Sequence, residues 1–194
     1  MANYTDTKKK VRVIQYKWEG SWGPFRIAVP CGECSANEGI TQDVVEVEFA
    51  GEPVSFEVRP WLNNWWRVLP LGGFRAPITL VNGKLVSQGA VIDRGLLAYR
   101  IRNELVKGYK IPAGANVVFT KPGCQFCARA KELLAQKGII FEERNIVQNA
   151  LFARQLFQLA KRVIPHGIPI TTPQIWLDGR YVGGFTELNT LVRV

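Results

Sequence analysis

All four cysteines in the 194-residue sequence fall into two pairs with two residues between them: Cys31 and Cys34 in "PCGEC", Cys124 and Cys127 in "TKPGCQFCARAKELLAQKG". Two thiols at this spacing lie one helical turn apart, so a thiolate that attacks a disulfide through one can be resolved by the other. Only the thiolate is nucleophilic, and a free cysteine near neutral pH is mostly protonated. A cysteine placed where a helix begins escapes that limit, because unpaired backbone amides and the helix dipole favour negative charge there. Cys124 has that place and Lys121 adds a cation, which makes Cys124 the nucleophile and Cys127 the resolver. In the other pair, Glu33 pushes a neighbouring thiol up and weakens it unless the carboxylate points outward. A shared zinc site would need both pairs, yet 89 residues separate Cys34 from Cys124, far beyond zinc-ribbon spacing. No metal site is expected.

These thiols need elements to hold them. "NVVFT", 116–120, reads as a buried strand ended by Pro122 and Gly123, and 125–137 as a helix stopped by Gly138. "IIFEERNI", 139–146, is a second strand and "ALFARQLFQLAKRV", 150–163, an amphipathic helix. "QIWLD" and "RYVGG" flank an Asp178-Gly179 turn, and a short helix follows from Thr186. In the first half, "FRIAVP", 25–30, reads as the strand leading into the cysteines, and "VSFEV", 54–58, as the next. "VRVIQYKW" reads as an extra edge strand. The segment between the cysteines and Gly51 is a poor helix by propensity, with a strand over 44–49 as the competing reading. A helix is predicted from Pro60 through "PWLNNWW", with Trp61 and Trp65 packed on the sheet, and another over 91–105.

The two halves share a rhythm. "APITLVNGKLVSQG", 76–89, aligns without a gap to "TPQIWLDGRYVGGF", 172–185. The first cysteine precedes the proline of that segment by 46 positions in one half and 49 in the other. This agreement points to an internal duplication. A cis peptide before Pro77 and Pro173 would leave the backbone of Ala76 and Thr172 open to an extended thiol peptide. The polar, Gly- and Pro-bearing stretch 106–115 serves as connector.

Formal net charge is +9, a balance that favours anionic partners such as nucleic acid, an anionic membrane or a small acid. The basic residues are scattered rather than striped, however, which reads as a solvated surface, and no nucleic-acid or membrane partner is expected. The start "MANYTDTKKK" lacks the apolar core of a secretion signal, and no run reaches the length of a spanning helix, so a cytoplasmic location is expected. Lys8, Lys9 and Lys10 read as a frayed terminus. The one histidine, His166, sits among prolines as a loop residue.

Residues 113–194 resemble a glutaredoxin: "FTKPGCQFCARAK" is similar to that family's active-site strand, turn and helix, "TTPQIWLDG" to its cis-proline segment, and "GGF" to its glycine pair. The family usually has proline then tyrosine between its thiols and valine before the cis-proline; here Gln125, Phe126 and Thr172 stand there. The first half resembles the broader thioredoxin superfamily rather than glutaredoxin in particular. Taken together, the resemblance of the two halves implies an α/β chain of two tandem thioredoxin-like folds, each a central mixed β-sheet flanked by helices. Residues 1–110 form a thioredoxin-like domain with the CGEC pair, and 111–194 a glutaredoxin domain with the CQFC pair. It further implies catalysis by Cys124, Cys127, Cys31 and Cys34 on disulfide-containing or glutathionylated proteins. Glutathione would be the co-substrate, bound by Lys121, Phe126, Thr172, Pro173, Gly183, Gly184, Thr186 and Glu187. Two alternatives stay open: carriage of a [2Fe-2S] cluster with glutathione, and a first half that only recruits substrates.

Overall fold

A computed structural model describes residues 9–193; residues 1–8, with Lys8 of the basic run, lie outside the described residues. The chain divides into two compact units, Met1–Leu105 and Val106–Val194.

The second unit runs β7 (Val117–Thr120), α4 (Gln125–Gln136), β8 (Glu142–Asn145), α5 (Ala150–Val163), β9 (Gln174–Leu177), β10 (Arg180–Gly183) and α6 (Phe185–Arg193). Its sheet has the order β10-β9-β7-β8, with β7 parallel to β8 and antiparallel to β9. All four residues of β7 are buried. Phe119, Leu156, Leu159 and Trp176 fill one face of the sheet, and Val118, Ala130, Leu134, Ile175 and Leu188 the other. Val106, Tyr109 and Ile111, from the stretch the sequence marks as connector, are buried in the first of these cores. The α5 helix starts where Asn149 accepts the Leu151 amide at 2.8 Å, and it bears Lys161 and Arg162 in its last turn.

The first unit contains β1 (Val11–Lys17), β2 (Glu19–Trp22), β3 (Phe25–Ala28), α1 (Gly32–Asp43), β4 (Val54–Pro60), α2 (Trp65–Val68), β5 (Ile78–Val81), β6 (Lys84–Gln88) and α3 (Arg94–Leu105). Its main sheet, β4-β1-β5-β6, repeats the order and sense of the other. Here the sequence reading is corrected. Val11–Lys17 is not an extra edge strand but the central strand, parallel to β4 and antiparallel to β5, the place β7 has in the second unit. Phe25–Ala28 pairs only with β2 in a separate hairpin, its four residues exposed. Burial decides between them: Val11, Val13, Ile14 and Tyr16 supply the apolar surface a central strand must carry. The helix predicted from Pro60 is also corrected. Strand β4 runs to Pro60, Asn64 closes a turn by donating to the Pro60 carbonyl, and the helix begins only at Trp65. Trp61 therefore packs on the core with Trp18 edge-on, whereas Trp65 and Trp66 are exposed.

The doubtful helix after the first cysteine pair forms despite its composition. It continues as a π-helical turn over Val44–Glu48 and is tied down from outside. Asn37, fully buried, donates to the Ala90 carbonyl and accepts the Ile92 amide at 2.6 Å, while Asp43 and Glu48 pair with Arg94. Tertiary contacts thus override propensity.

The duplication extends to details. Asn82-Gly83 and Asp178-Gly179 both have positive φ at the two central residues, the type I′ geometry of tight hairpins. Glu57 with Arg59 on β4 matches Glu142 with Arg144 on β8, each a two-point ion pair along one strand face. Arg144 is the more deeply set: it also donates to Gln155 at 2.8 Å and to the Tyr109 hydroxyl, with its guanidinium over Phe119 and Phe152. Replacing Arg144 by Ala removes a donor shared by three groups and should cost the second unit about 3 kcal/mol. Arg59→Ala, at the more open copy, should cost the first unit less than about 1 kcal/mol. Hydrogen exchange resolved by unit checks both values.

Candidate functional site

Each cysteine pair sits at the start of a helix, and the first sulfur of each pair caps it. Cys124 has extended backbone before α4, and its Sγ accepts the Cys127 amide at 3.1 Å. Cys31 does the same for α1, accepting the Cys34 amide at 3.2 Å. A sulfur here takes the role that a serine or aspartate oxygen usually has at a helix start. The local sequence explains the geometry: Pro122 and Gly123 form a turn, Gly123 at φ +69, that delivers an extended Cys124 to the cap, and Val29-Pro30 lead straight into an extended Cys31, so that each helix begins only beyond its first cysteine. Both pairs are disulfide-bonded, with Cα atoms 5.2 Å apart in each. In both, the first cysteine is half-buried and the second buried. The reachable sulfur is therefore the one that the amide faces.

Around Cys124 the structure brings together part of the expected set. The Thr172 carbonyl oxygen lies 3.5 Å from its Sγ and the Thr172 hydroxyl 3.7 Å away, and the Thr172-Pro173 peptide is cis. Phe126 is 55% exposed, its ring 6.1 Å from that of Phe185 with Arg129 over its face. Gly183 has φ +121, and a Cβ there would sit 2.9 Å from Glu187 Cγ, so a side chain would close the approach to the Glu187 carboxylate. The Gly184 amide donates to Glu187 Oε2 at 2.9 Å. Thr186 is exposed in the first turn of α6, and Lys121 is exposed in the turn after β7. Lys121 makes no hydrogen bond to the sulfur; it lies exposed three residues before Cys124. A polar hollow of 470 Å³ lined by Glu143, Asn145, Gln148, Asn149 and Phe152 shares none of these residues. Cys124 is half-buried, with exposed Phe126, Thr186 and Glu187 near it in the fold.

Around Cys31 the surroundings differ. The Ala76-Pro77 peptide is cis, as at the other site. The Glu33 carboxylate, however, does not point away: its Oε2 is 3.5 Å from Cys31 Sγ. Behind the pair lies Gln15, fully buried, donating from Nε2 to the Cys34 carbonyl at 2.7 Å, with buried Thr79 opposite it on β5. By register from each proline, Gln15 and Thr79 occupy the places of Val118 and Ile175. Sequence reading missed this polar floor. The signal was present, a glutamine within "VRVIQYK", but it acquires meaning only once that segment is known to be the central strand. Among the described residues no cluster of three or more His, Cys, Asp or Glu is placed to hold a metal, and no helix is long and apolar enough to cross a membrane.

The sequence model of the glutaredoxin family matches residues 116–182, within the second unit. Glutaredoxin 3 of Escherichia coli (strain K12) is 37% identical over 78 residues, 40% of this chain and 86% of that protein. Hybrid peroxiredoxin hyPrx5 of Haemophilus influenzae is 38% identical over 72 residues, 37% of this chain, and the match spans only 27% of that longer protein. Among solved structures, glutaredoxin 1 of Francisella tularensis complexed with cacodylate is 28% identical, with a TM-score of 0.35, covering 41% of this chain and 92% of that one.

The electrostatic difference between the sites can be read directly. A carboxylate 3.5 Å from Cys31 opposes its ionisation. Glu33→Gln should therefore make reduced Cys31 react with iodoacetamide about three- to tenfold faster at pH 7, with the gain vanishing at high pH where the thiol is ionised in both proteins. Peptide mapping after timed quenching checks it, with Cys124 as the internal reference.

Proposed function

The chain belongs to the glutaredoxin family of thiol-disulfide oxidoreductases, and from that premise we propose that it reduces protein and glutathione mixed disulfides with glutathione as electron donor. The observation that carries this reading is the Cys127 amide aimed at the accessible Cys124 sulfur, with the Thr172 carbonyl beside it. In the reduced protein that amide supports a Cys124 thiolate. The thiolate attacks the glutathionyl sulfur of a mixed disulfide, and the substrate thiolate leaves and takes up a proton. A second glutathione then attacks the Cys124 adduct, releasing glutathione disulfide and restoring the thiolate. Alternatively Cys127 displaces glutathione and closes the disulfide, which two further glutathione molecules reopen.

The site suits a tripeptide that carries two carboxylates and an ammonium group. Lys121 supplies a cation, and Thr172 offers backbone groups beside Pro173 for the cysteinyl part. The exposed start of α6 at Thr186 favours a carboxylate, and Glu187 an ammonium. Gly183 and Gly184 keep that end of the site free of side chains, and Phe126 forms an apolar wall. Cys31 and Cys34, capped in the same way, form a second exchange site. Such dithiols remain reduced in a cytoplasm poised by glutathione, which is where this activity belongs.

Turnover of a glutathione mixed disulfide tests the reading. Cys124→Ser should lose more than about 100-fold in rate, since no other accessible sulfur of the second unit replaces it, while Cys127→Ser should stay within about tenfold through the glutathione route. Lys121→Ala should raise KM for glutathione about threefold or more with kcat little changed. Turnover surviving in Cys124→Ser would overturn the mechanism, and a brown protein without turnover would favour [2Fe-2S] carriage.

A further inference from the structure

We propose that the Cys31–Cys34 pair exchanges with a dithiol polypeptide bound as an extended strand along β3, and does not accept glutathione. This inference rests on reading both pairs as exchange sites and names the substrate class of the first.

The ungapped alignment of the two hairpins sets the sites side by side. Where the second unit has Thr172, Gly183, Gly184, Thr186 and Glu187, the first has Ala76, Ser87, Gln88, Ala90 and Val91. Three residues before the first sulfur, Lys121 is matched by Ala28. Each group that would hold a carboxylate or an ammonium is thus replaced by an apolar or neutral one. The Gln88 side chain is spoken for: its Oε1 accepts the Phe74 amide at 2.9 Å and the Arg75 amide at 3.4 Å, pinning the loop before Pro77. Arg75, the one cation of that loop, lies along Gly89. Glu33 adds an active obstacle. Glutathione attacks as a thiolate bearing two carboxylates, and it would bring that charge to a sulfur 3.5 Å from a carboxylate.

What the first unit has instead is an insertion. Three residues, 121–123, separate β7 from Cys124, whereas the β2–β3 hairpin stands between β1 and Cys31. One edge of that hairpin is anchored, with the Ser21 amide on Asn63 Oδ1 and the Leu62 amide on the Glu19 carbonyl. The other edge, along β3, has no strand partner among the described residues. It exposes Phe25 (70%), Ile27 and, just beyond, Val29 (52%), and the chain runs from there through Pro30 into Cys31. An open apolar edge that ends at a reachable sulfur fits an extended polypeptide added as a further strand.

The step balances within the partners named. A thiolate of the dithiol polypeptide attacks Cys31 Sγ, the Cys31–Cys34 bond breaks, and Cys34 leaves as a thiolate that takes up a proton. The polypeptide's second thiol, giving up its proton, attacks the mixed disulfide and expels Cys31. Two electrons have passed to the pair and the polypeptide is left as a disulfide; the reverse path carries them back. Gln15 donates to the Cys34 carbonyl and so holds the backbone of the buried leaving sulfur in place through the exchange.

The test uses the full chain as Cys124→Ser/Cys127→Ser, so that one pair remains. Its reduction is followed by mass tagging with three reagents at equal thiol concentration: glutathione, dithiothreitol, and a blocked peptide with two cysteines flanked by Val, Ile and Thr. The peptide should outpace glutathione by about tenfold or more, and Phe25→Ser/Ile27→Ser should slow the peptide about fivefold while leaving dithiothreitol unchanged. Both replaced side chains are exposed, and an unchanged dithiothreitol rate reports that the variant's fold is intact. Glutathione as fast as the peptide, a peptide rate indifferent to the hairpin variant, or a pair that none of the three reduces would each overturn the proposal. Glutathione-driven turnover by Cys31→Ser/Cys34→Ser reports separately on the function proposed for the second unit, so the two can fail independently.

Discussion

In each unit the backbone amide of the second cysteine is aimed at the sulfur of the first, at 3.2 Å in one and 3.1 Å in the other. That contact requires an extended residue before the helix, a helix whose opening amides are unpaired, and a sheet that fixes where the helix begins. Pro30 and the Pro122-Gly123 turn meet the first demand, and α1 and α4 the second. The parallel pairs β1–β4 and β7–β8 set the strands beneath. The second sulfur, one turn on, is buried as a consequence of the same helical geometry. A reachable sulfur and a buried one behind it are thus one structural result.

Around this shared contact the two copies have diverged in charge and access. The second unit sets two glycines and the Glu187 carboxylate of α6 beside its cis-proline. The first places a carboxylate at the sulfur, a glutamine amide beneath the pair and a hairpin in front of it. Its helix is held by Asn37 and by Arg94 rather than by an apolar stripe, and the long helix α5 of the second unit is reduced to the single turn of α2. The fold tolerates both because the conserved geometry is backbone geometry, while specificity lies in side chains set on it.

The second unit was legible in the sequence almost throughout, since its signals are local. The run "VVFT", the helix stop at Gly138, the amphipathic run 150–163 and the Asp178-Gly179 turn each specify their own element. The first unit was less so because its decisive facts are non-local. Which of "VRVIQYK" and "FRIA" is central depends on pairing with residues some forty to seventy positions away in the chain, and adjacency to the cysteines favoured the wrong one. The helix expected at Pro60 failed because a strand partner for β4 outweighed a local helix start. The paired motifs "FEVR" and "FEER" were visible as text, yet their ion pairs follow only from alternation along a strand. The Glu33 contact was foreseen as a possibility of chemistry; its direction needed coordinates.

The central claim is that each unit presents one sulfur, the helix cap, and buries the other. The most direct measurement is brief alkylation of the fully reduced, folded protein followed by peptide mapping of all four cysteines. The account predicts modification at Cys31 and Cys124, with Cys34 and Cys127 protected until denaturant is added. Early labelling of Cys34 or Cys127, or protection of Cys124, would contradict it.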